Sequence, residues 1–210
     1  LMTFGLVKHN NNSISAITTP GSLAQGKMTL IKEQTASSSS SISFVDGSSS
    51  VVLDSTYPIY VFKFINIHPA TDNVKLTINF STDSGSNYNV TKTTTIFRAF
   101  NKENGSNQNL NYESGSDLAQ STSGANLSLE LGNGSDESCS GTLHLFEPSS
   151  TTFVKHFFSN FNTCQYDSIT MHHVAGGYGN TTSAIDGVQF AMNSGDIDSG
   201  TIKLYGIKGS

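Results

Sequence analysis

The stretch Val74-Lys75-Leu76-Thr77-Ile78-Asn79-Phe80 decides the fold. Apolar and polar residues alternate without a break. A strand here buries Val74, Leu76, Ile78 and Phe80 on one face and wets Lys75, Thr77 and Asn79 on the other. The stretch before it, Ile59-Tyr60-Val61-Phe62-Lys63-Phe64-Ile65-Asn66-Ile67, is β-branched and aromatic, apolar on both faces near its start, and reads as a central strand. The same grammar repeats outward in both directions. Residues 28–34, 42–45, 127–131, 141–146, 153–158, 169–174, 187–192 and 201–207 read as strands, and Tyr88–Phe100 as one long or bent strand with a Thr-rich centre. That is about ten strands at the spacing of a sandwich or barrel. No segment sustains the helical period of about 3.6 residues; residues 116–123 allow one short helical turn. The expected fold class is therefore all-β, an antiparallel β-sandwich of jelly-roll type over residues 28–210, with an extended N-terminal arm over residues 1–27.

The punctuation agrees. Asp83-Ser84-Gly85-Ser86-Asn87 and Gly132-Asn133-Gly134 are turn chemistry, and Gly176-Gly177-Tyr178-Gly179 reads as a backbone-permissive loop. The serine run 37–41 lies between two strands and reads as a long loop or a polar strand edge. Residues 101–123 form a polar loop whose anchors are Leu110, Tyr112 and Leu118. In the arm, Phe4, Leu6, Val7, Ile14, Ile17 and Leu23 recur without a strong period, which suits either a disordered tail or, somewhat better, a segment that orders against a neighbouring subunit.

Of the 210 residues, 35% are hydrophobic and 13% charged, and much of the remainder is Ser, Thr, Asn and Gly. Strands with hydroxyl and amide side chains on a wet face have this composition. The net charge of −5 and the lack of any Lys/Arg run argue against nucleic acid and against an anionic membrane surface as partners. No stretch reaches about 18 apolar residues, so no membrane span is expected. Residues 1–12 show neither the apolar core nor the cleavage site of an export signal, which suggests release inside a particle by lysis. Two cysteines, Cys139 and Cys164, allow one disulfide or two free thiols.

Three stretches carry a resemblance. They are Phe62-Lys63-Phe64-Ile65-Asn66-Ile67-His68-Pro69-Ala70-Thr71-Asp72, then Asn79-Phe80-Ser81-Thr82-Asp83-Ser84-Gly85-Ser86-Asn87-Tyr88, then the closing Phe190–Met192 strand, its Asn193–Gly200 turn and the strand Thr201–Ile207. In this order they resemble the virion structural and tail-fibre-like proteins of tailed phages, the marine and cyanobacterial type above all. The resemblance covers about residues 28–208 and is most specific in the closing hairpin. It implies a virion component on the particle exterior. A tail fibre or adhesion module, docked through its arm onto other virion proteins and assembled as a homotrimer, is the expected function. A capsid decoration or head fibre protein and a lectin-like binder of host surface glycan stand as alternatives. The family offers no catalytic residue.

Six histidines are present, but His172 and His173 are adjacent and point to opposite faces of a strand; His144 and His156, on neighbouring strands, have a better chance of facing each other. Asp83 with Asn87, Asp136 with Glu137, and Asp196 with Asp198 lack calcium-loop spacing and read as turn residues. Asp136, Glu137 and Glu147 are the only candidates for a glycosidase pair, with nothing in the sequence to hold two of them across a substrate. No nucleophile elbow occurs. No enzyme activity, metal or cofactor is expected. Tyr88, Tyr112, Tyr166 and Tyr178, beside Asn, Asp and Gly, are the candidate ligand or subunit contacts, because a phenol ring stacks on sugars while amides bond their hydroxyls.

Overall fold

The alternating stretch at residues 74–80 lies in a strand whose Val74, Leu76, Ile78 and Phe80 are buried and whose Lys75, Thr77 and Asn79 are half-buried. It is one of twelve strands in the computed structural model, which describes residues 28–208. The arm predicted at residues 1–27 lies outside the described residues. In chain order the strands are β1 (Met28–Ser39), β2 (Ile42–Val45), β3 (Ile59–Pro69), β4 (Val74–Ser81), β5 (Lys92–Lys102), β6 (Gln108–Tyr112), β7 (Ala125–Leu131), β8 (Cys139–Phe146), β9 (Lys155–Gln165), β10 (Ile169–Gly179), β11 (Gly187–Met192) and β12 (Ile197–Ile207). The described residues contain no helix.

All pairings are antiparallel, and the strands follow the path β1-β12-β3-β8-β9-β7-β4-β11-β2. The two ends of the path, β1 and β2, are consecutive in sequence, and the Gln34 amide on β1 donates to the Ser43 carbonyl on β2 at 2.7 Å. The sheet therefore curls almost into a barrel. Its interior shows the same closure. Phe64 on β3 meets Phe190 on β11 edge-on at 4.8 Å between ring centroids, Phe44 on β2 meets Phe62 on β3 at 5.3 Å, and Phe80 on β4 meets Phe157 on β9 at 5.5 Å. None of these strand pairs is hydrogen-bonded, so the rings meet across the interior. Edge-to-face pairs at these distances add to the gain from burial, which is about 1.5–3 kcal/mol for each large apolar side chain.

A wing branches from this barrel. β9 pairs with β8 along one edge and with β10 along the other, and β5 and β6 continue outward from β10. β7 touches the β9 ladder only at Leu131 and Gln165. Its Leu129 instead packs with Ile96 of β5 and Ala175 of β10, so β7 is buried from both sides. Around that contact the seam is polar. Arg98 lies 2.7 Å from Glu113 and 2.9 Å from Glu130, and Gln165 donates to Glu130 at 3.1 Å. Ser128 and Thr163 share a hydrogen bond at 2.7 Å, and Thr163 lies 3.4 Å from the ring of the fully buried His173. Glu130 has a φ of +54°, and the β4–β7 register slips around it, a bulge that turns its carboxylate toward Arg98.

Several local expectations are corrected. The strand predicted to begin at Phe153 begins at Lys155 and runs to Gln165. The strand predicted from Tyr88 begins at Lys92. Residues 116–123 are not helical. The polar loop 101–123 contains β6, which is exposed along nearly its whole length and held by pairing with β5; with no buried face, it left no alternation to read. Leu110 and Tyr112 are 68% and 60% exposed, so they do not anchor that loop; Leu118 does pack against the core. The glycine stretch 176–179 is strand. A Cβ on Gly177 would stand 2.4 Å from the Thr93 carbonyl, so glycine here serves close strand approach and not a turn.

Candidate functional site

The ladder registers place the four longest connections at one end of the barrel. Residues 46–58, 82–91, 113–124, 147–154 and 180–186 all leave that end, while the other end carries only 40–41, 70–73, 103–107, 132–138, 166–168 and 193–196. Met28 opens β1 at the long-loop end, in one row with Ile207, Ile59 and Phe146. The long loops close the barrel mouth, inserting Val51, Leu53, Val90 and Ile185 into the core.

Two fully buried lysines fix this rim. Lys155 and Lys92 flank Gly179 in one ladder row. Lys155 donates to the carbonyls of Phe153 at 2.7 Å and Thr181 at 3.2 Å. Lys92 donates to the Val90 carbonyl at 2.8 Å and to Asn79. Burial lowers the pKa of both, that of Lys92 to about 8. Each ammonium thus satisfies loop carbonyls that water would otherwise have to reach.

At this rim the β8–β9 loop and residues 55–59 enclose a cleft of about 410 Å³, lined by Pro58, Ile59, Phe146, Glu147, Phe153 and His156 among others. A second cleft of about 380 Å³ adjoins it and adds Ser55, Tyr57, Ser149, Thr151 and Thr152. The two share Pro58, Glu147 and Ser150, forming one groove with an apolar half and a hydroxyl half. The walls are held in place. The Glu147 amide donates to the Pro58 carbonyl at 2.9 Å, and Glu147 adopts a φ of +40°, a left-handed backbone that a non-glycine residue keeps only when its surroundings impose it. Ser150 Oγ accepts from the amides of Thr152 and Phe153, both at 3.2 Å. Tyr57 lies flat over Gly206, where a Cβ would come within 2.4 Å of its ring.

The four predicted tyrosines are not brought together. Tyr178 lies on β10, its ring 6.1 Å from that of His156, which lines the groove. Tyr88 is half-buried against Gly85 and Gly187 and acts as a loop anchor. Tyr112 sits on the outermost wing strand and donates to Asp117, a bond that raises its pKa. Tyr166 is in the β9–β10 turn at the far end. The carboxylates also part: Asp136 and Glu137 occupy the short-turn end, where Glu137 accepts from the Gly134 amide at 2.7 Å, while Glu147 is at the long-loop end. Asp136 and Glu137 line one small cleft together, and Glu147 is far from both. Asp83 is taken up by its own turn, accepting from Asn87 and Ser81, which lowers its pKa.

His172 is exposed and His173 buried, as adjacent strand residues require. His144 and His156 share the outer face but do not meet; His144 stacks on Phe158 at 4.7 Å. Among the described residues no group of three or more His, Cys, Asp or Glu is placed to hold a metal ion. Both cysteines are free, Cys139 buried with its thiol pushed up to about 12 and Cys164 half-buried. The described residues contain no helix long and apolar enough to cross a membrane. Sequence reading missed Phe153, the most exposed ring of the groove, because it assigned that residue to a strand; an aromatic directly after Ser149-Ser150-Thr151-Thr152 was the signal available. Comparison with known proteins adds no further constraint: no family model, curated protein or solved structure matches the chain.

Proposed function

We propose that the chain is a structural and attachment module on the exterior of a tailed phage particle, a fibre or adhesion component that docks to other virion proteins through residues 1–27 and assembles as a homotrimer. The particle is supplied by the resemblance of residues 62–72, 79–88 and 190–207. The observation that carries the assembly is the outer face beside the arm. One ladder row crosses it as Leu30, Tyr205, Val61, His144 and Phe158, and the next as Met28, Ile207, Ile59 and Phe146. Leu30, Met28 and Phe158 are 50%, 41% and 41% exposed. A contiguous apolar and aromatic face is uncommon on a lone soluble domain and is the usual mark of a surface that another chain covers. Among the described residues β1 forms a ladder only with β12 and meets β2 through Gln34 and Ser43, and closed symmetry would cover the apolar face beside it. The finer fold reading, a jelly-roll-like sandwich, is supported by the way β7, β4, β11 and β2 depart from β9 at a single ladder pair.

The test is the mass in solution of the full chain and of a chain lacking residues 1–27. A trimer in both forms, broken by Phe158→Ser, is the expected result. A monomer in both forms would overturn self-assembly and favour the capsid-decoration alternative.

A further inference from the structure

The groove at the long-loop rim adjoins the proposed docking face, sharing Ile59 and Phe146 with it, and adds side chains which that face lacks. Its apolar half offers a ring, Phe153, that is 67% exposed. Its other half is a row of hydroxyl side chains, Ser55, Ser149, Thr151 and Thr152, and the carboxylate of Glu147 stands where the two halves meet. An exposed phenyl ring costs hydration free energy in the unbound protein, and here the backbone that carries it is held in place. Its carbonyl is held by the buried Lys155 and its amide by Ser150 Oγ. Glu147 is held equally firmly, its backbone left-handed and its amide bound to Pro58, while among the described residues its carboxylate has no ion-pair or hydrogen-bond partner. A platform ordered before the ligand arrives loses little entropy on binding.

A flat ring, an adjacent free carboxylate and a bank of hydroxyls match one class of ligand. A pyranose has a patch of C–H groups on one face and vicinal hydroxyls on its edge. The C–H face stacks on an aromatic ring, and two neighbouring hydroxyls donate to the two oxygens of a carboxylate. Glu147 is the only carboxylate, and no Lys or Arg is found, among the residues lining either half; the nearby Lys155 is buried behind Phe153 with its ammonium on loop carbonyls, so the site disfavours anionic sugars. We propose that this groove binds a neutral pyranose, stacked on Phe153 and hydrogen-bonded through vicinal hydroxyls to Glu147, with His156 extending the apolar wall. The biological meaning of the site, recognition of a neutral glycan on the host surface, rests on the attachment reading above; the binding itself does not.

The experiment is saturation-transfer NMR on the full chain with glucose, galactose, mannose and N-acetylglucosamine, each at millimolar concentration, and with N-acetylneuraminic acid as the anionic comparison. Transfer to at least one neutral sugar and none to the anionic one is expected. Phe153→Ala should weaken binding about tenfold or more, and Glu147→Gln several-fold. Tyr166→Ala, at the opposite end, should leave it unchanged. Phe153 is mostly exposed, so its variant should keep the wild-type melting temperature, which separates loss of the site from loss of the fold. Silence from all four neutral sugars, or binding indifferent to Phe153→Ala, overturns the proposal. A chain that forms trimers yet binds no sugar would leave the docking reading standing and remove this one, while a monomer that binds sugar would do the reverse.

Discussion

The barrel interior and the seam under the wing are built from the same kind of strand, yet they are held together by different physics. Between β3 and β11 the contact is aromatic and dry: Phe62, Phe64 and Phe190 are at most 2% exposed and meet edge to face. Between β7 and the β10–β5 pair, Leu129, Ile96 and Ala175 form a small apolar contact and Met171 touches Arg98, while Arg98, Glu113, Glu130, Gln165, Ser128, Thr163 and His173 make the seam largely polar. Apolar burial is non-directional and tolerates small shifts, whereas a buried ion pair is worth its desolvation only when the geometry is met. The barrel should therefore set the stability of the molecule, and the seam should set how the wing sits on it.

Replacing Phe190 by Ala breaks the barrel side of that contrast. It removes a ring that touches Phe44, Phe62 and Phe64, and a loss of about 3–5 kcal/mol is expected in chemical unfolding. If the loss is under about 1 kcal/mol, the ring cluster is not the keystone argued here. Arg98→Met acts on the seam. It strands the carboxylates of Glu113 and Glu130 in a half-buried place, with an expected cost of about 3 kcal/mol. Hydrogen exchange should show the difference in kind: amides of residues 92–102 and 169–179 should lose protection while those of residues 59–69 keep theirs. Equal loss in both regions would mean that wing and barrel open as one unit.

The smallest effect is also the most specific. Burial, then the neighbouring Arg98 charge, lowers the pKa of His173 from 6.5 to about 3. Below pH 6.5 the unfolded chain takes up a proton that the native seam refuses, so stability falls as pH falls, by up to about 1.4 kcal/mol per pH unit from this one group. Between pH 6.5 and 5 few carboxylates titrate, and burial also lowers the pKa of His144, so the melting temperature of the wild type should drop there and that of His173→Leu should drop less steeply. Parallel curves would assign the acid sensitivity to another group.

The legible parts of the fold are those with one buried face. The strand of residues 74–80 and that of 187–192 were readable because alternation follows from burial on one side alone. β6 was hidden because it buries nothing, and the second half of β9 was hidden because its inward Ser159, Thr163 and Gln165 are polar, answering to the seam rather than to the core. The site was partly legible. Glu147, weighed only as one of a carboxylate pair, lines the groove, and Tyr178, one of the four candidate tyrosines, lies behind its His156 wall. Phe153, Lys155 and Ser150 were not, since their roles depend on where the strand starts and on which carbonyls come within reach.

The sequence alone determined the all-β class, the strand count to within two, the split of His172 from His173 and the polar, weakly charged surface, because each follows from side-chain periodicity or composition within a few neighbouring residues. Only the tertiary structure decided the near-closure of the barrel, the branching of the wing at β9, the gathering of the four longest loops at one end and the separation of Glu137 from Glu147. Those depend on which strands pair across separations such as the 166 residues between Thr35 and Thr201, and pairing at that range is set by the complementarity of whole faces, which no local pattern encodes.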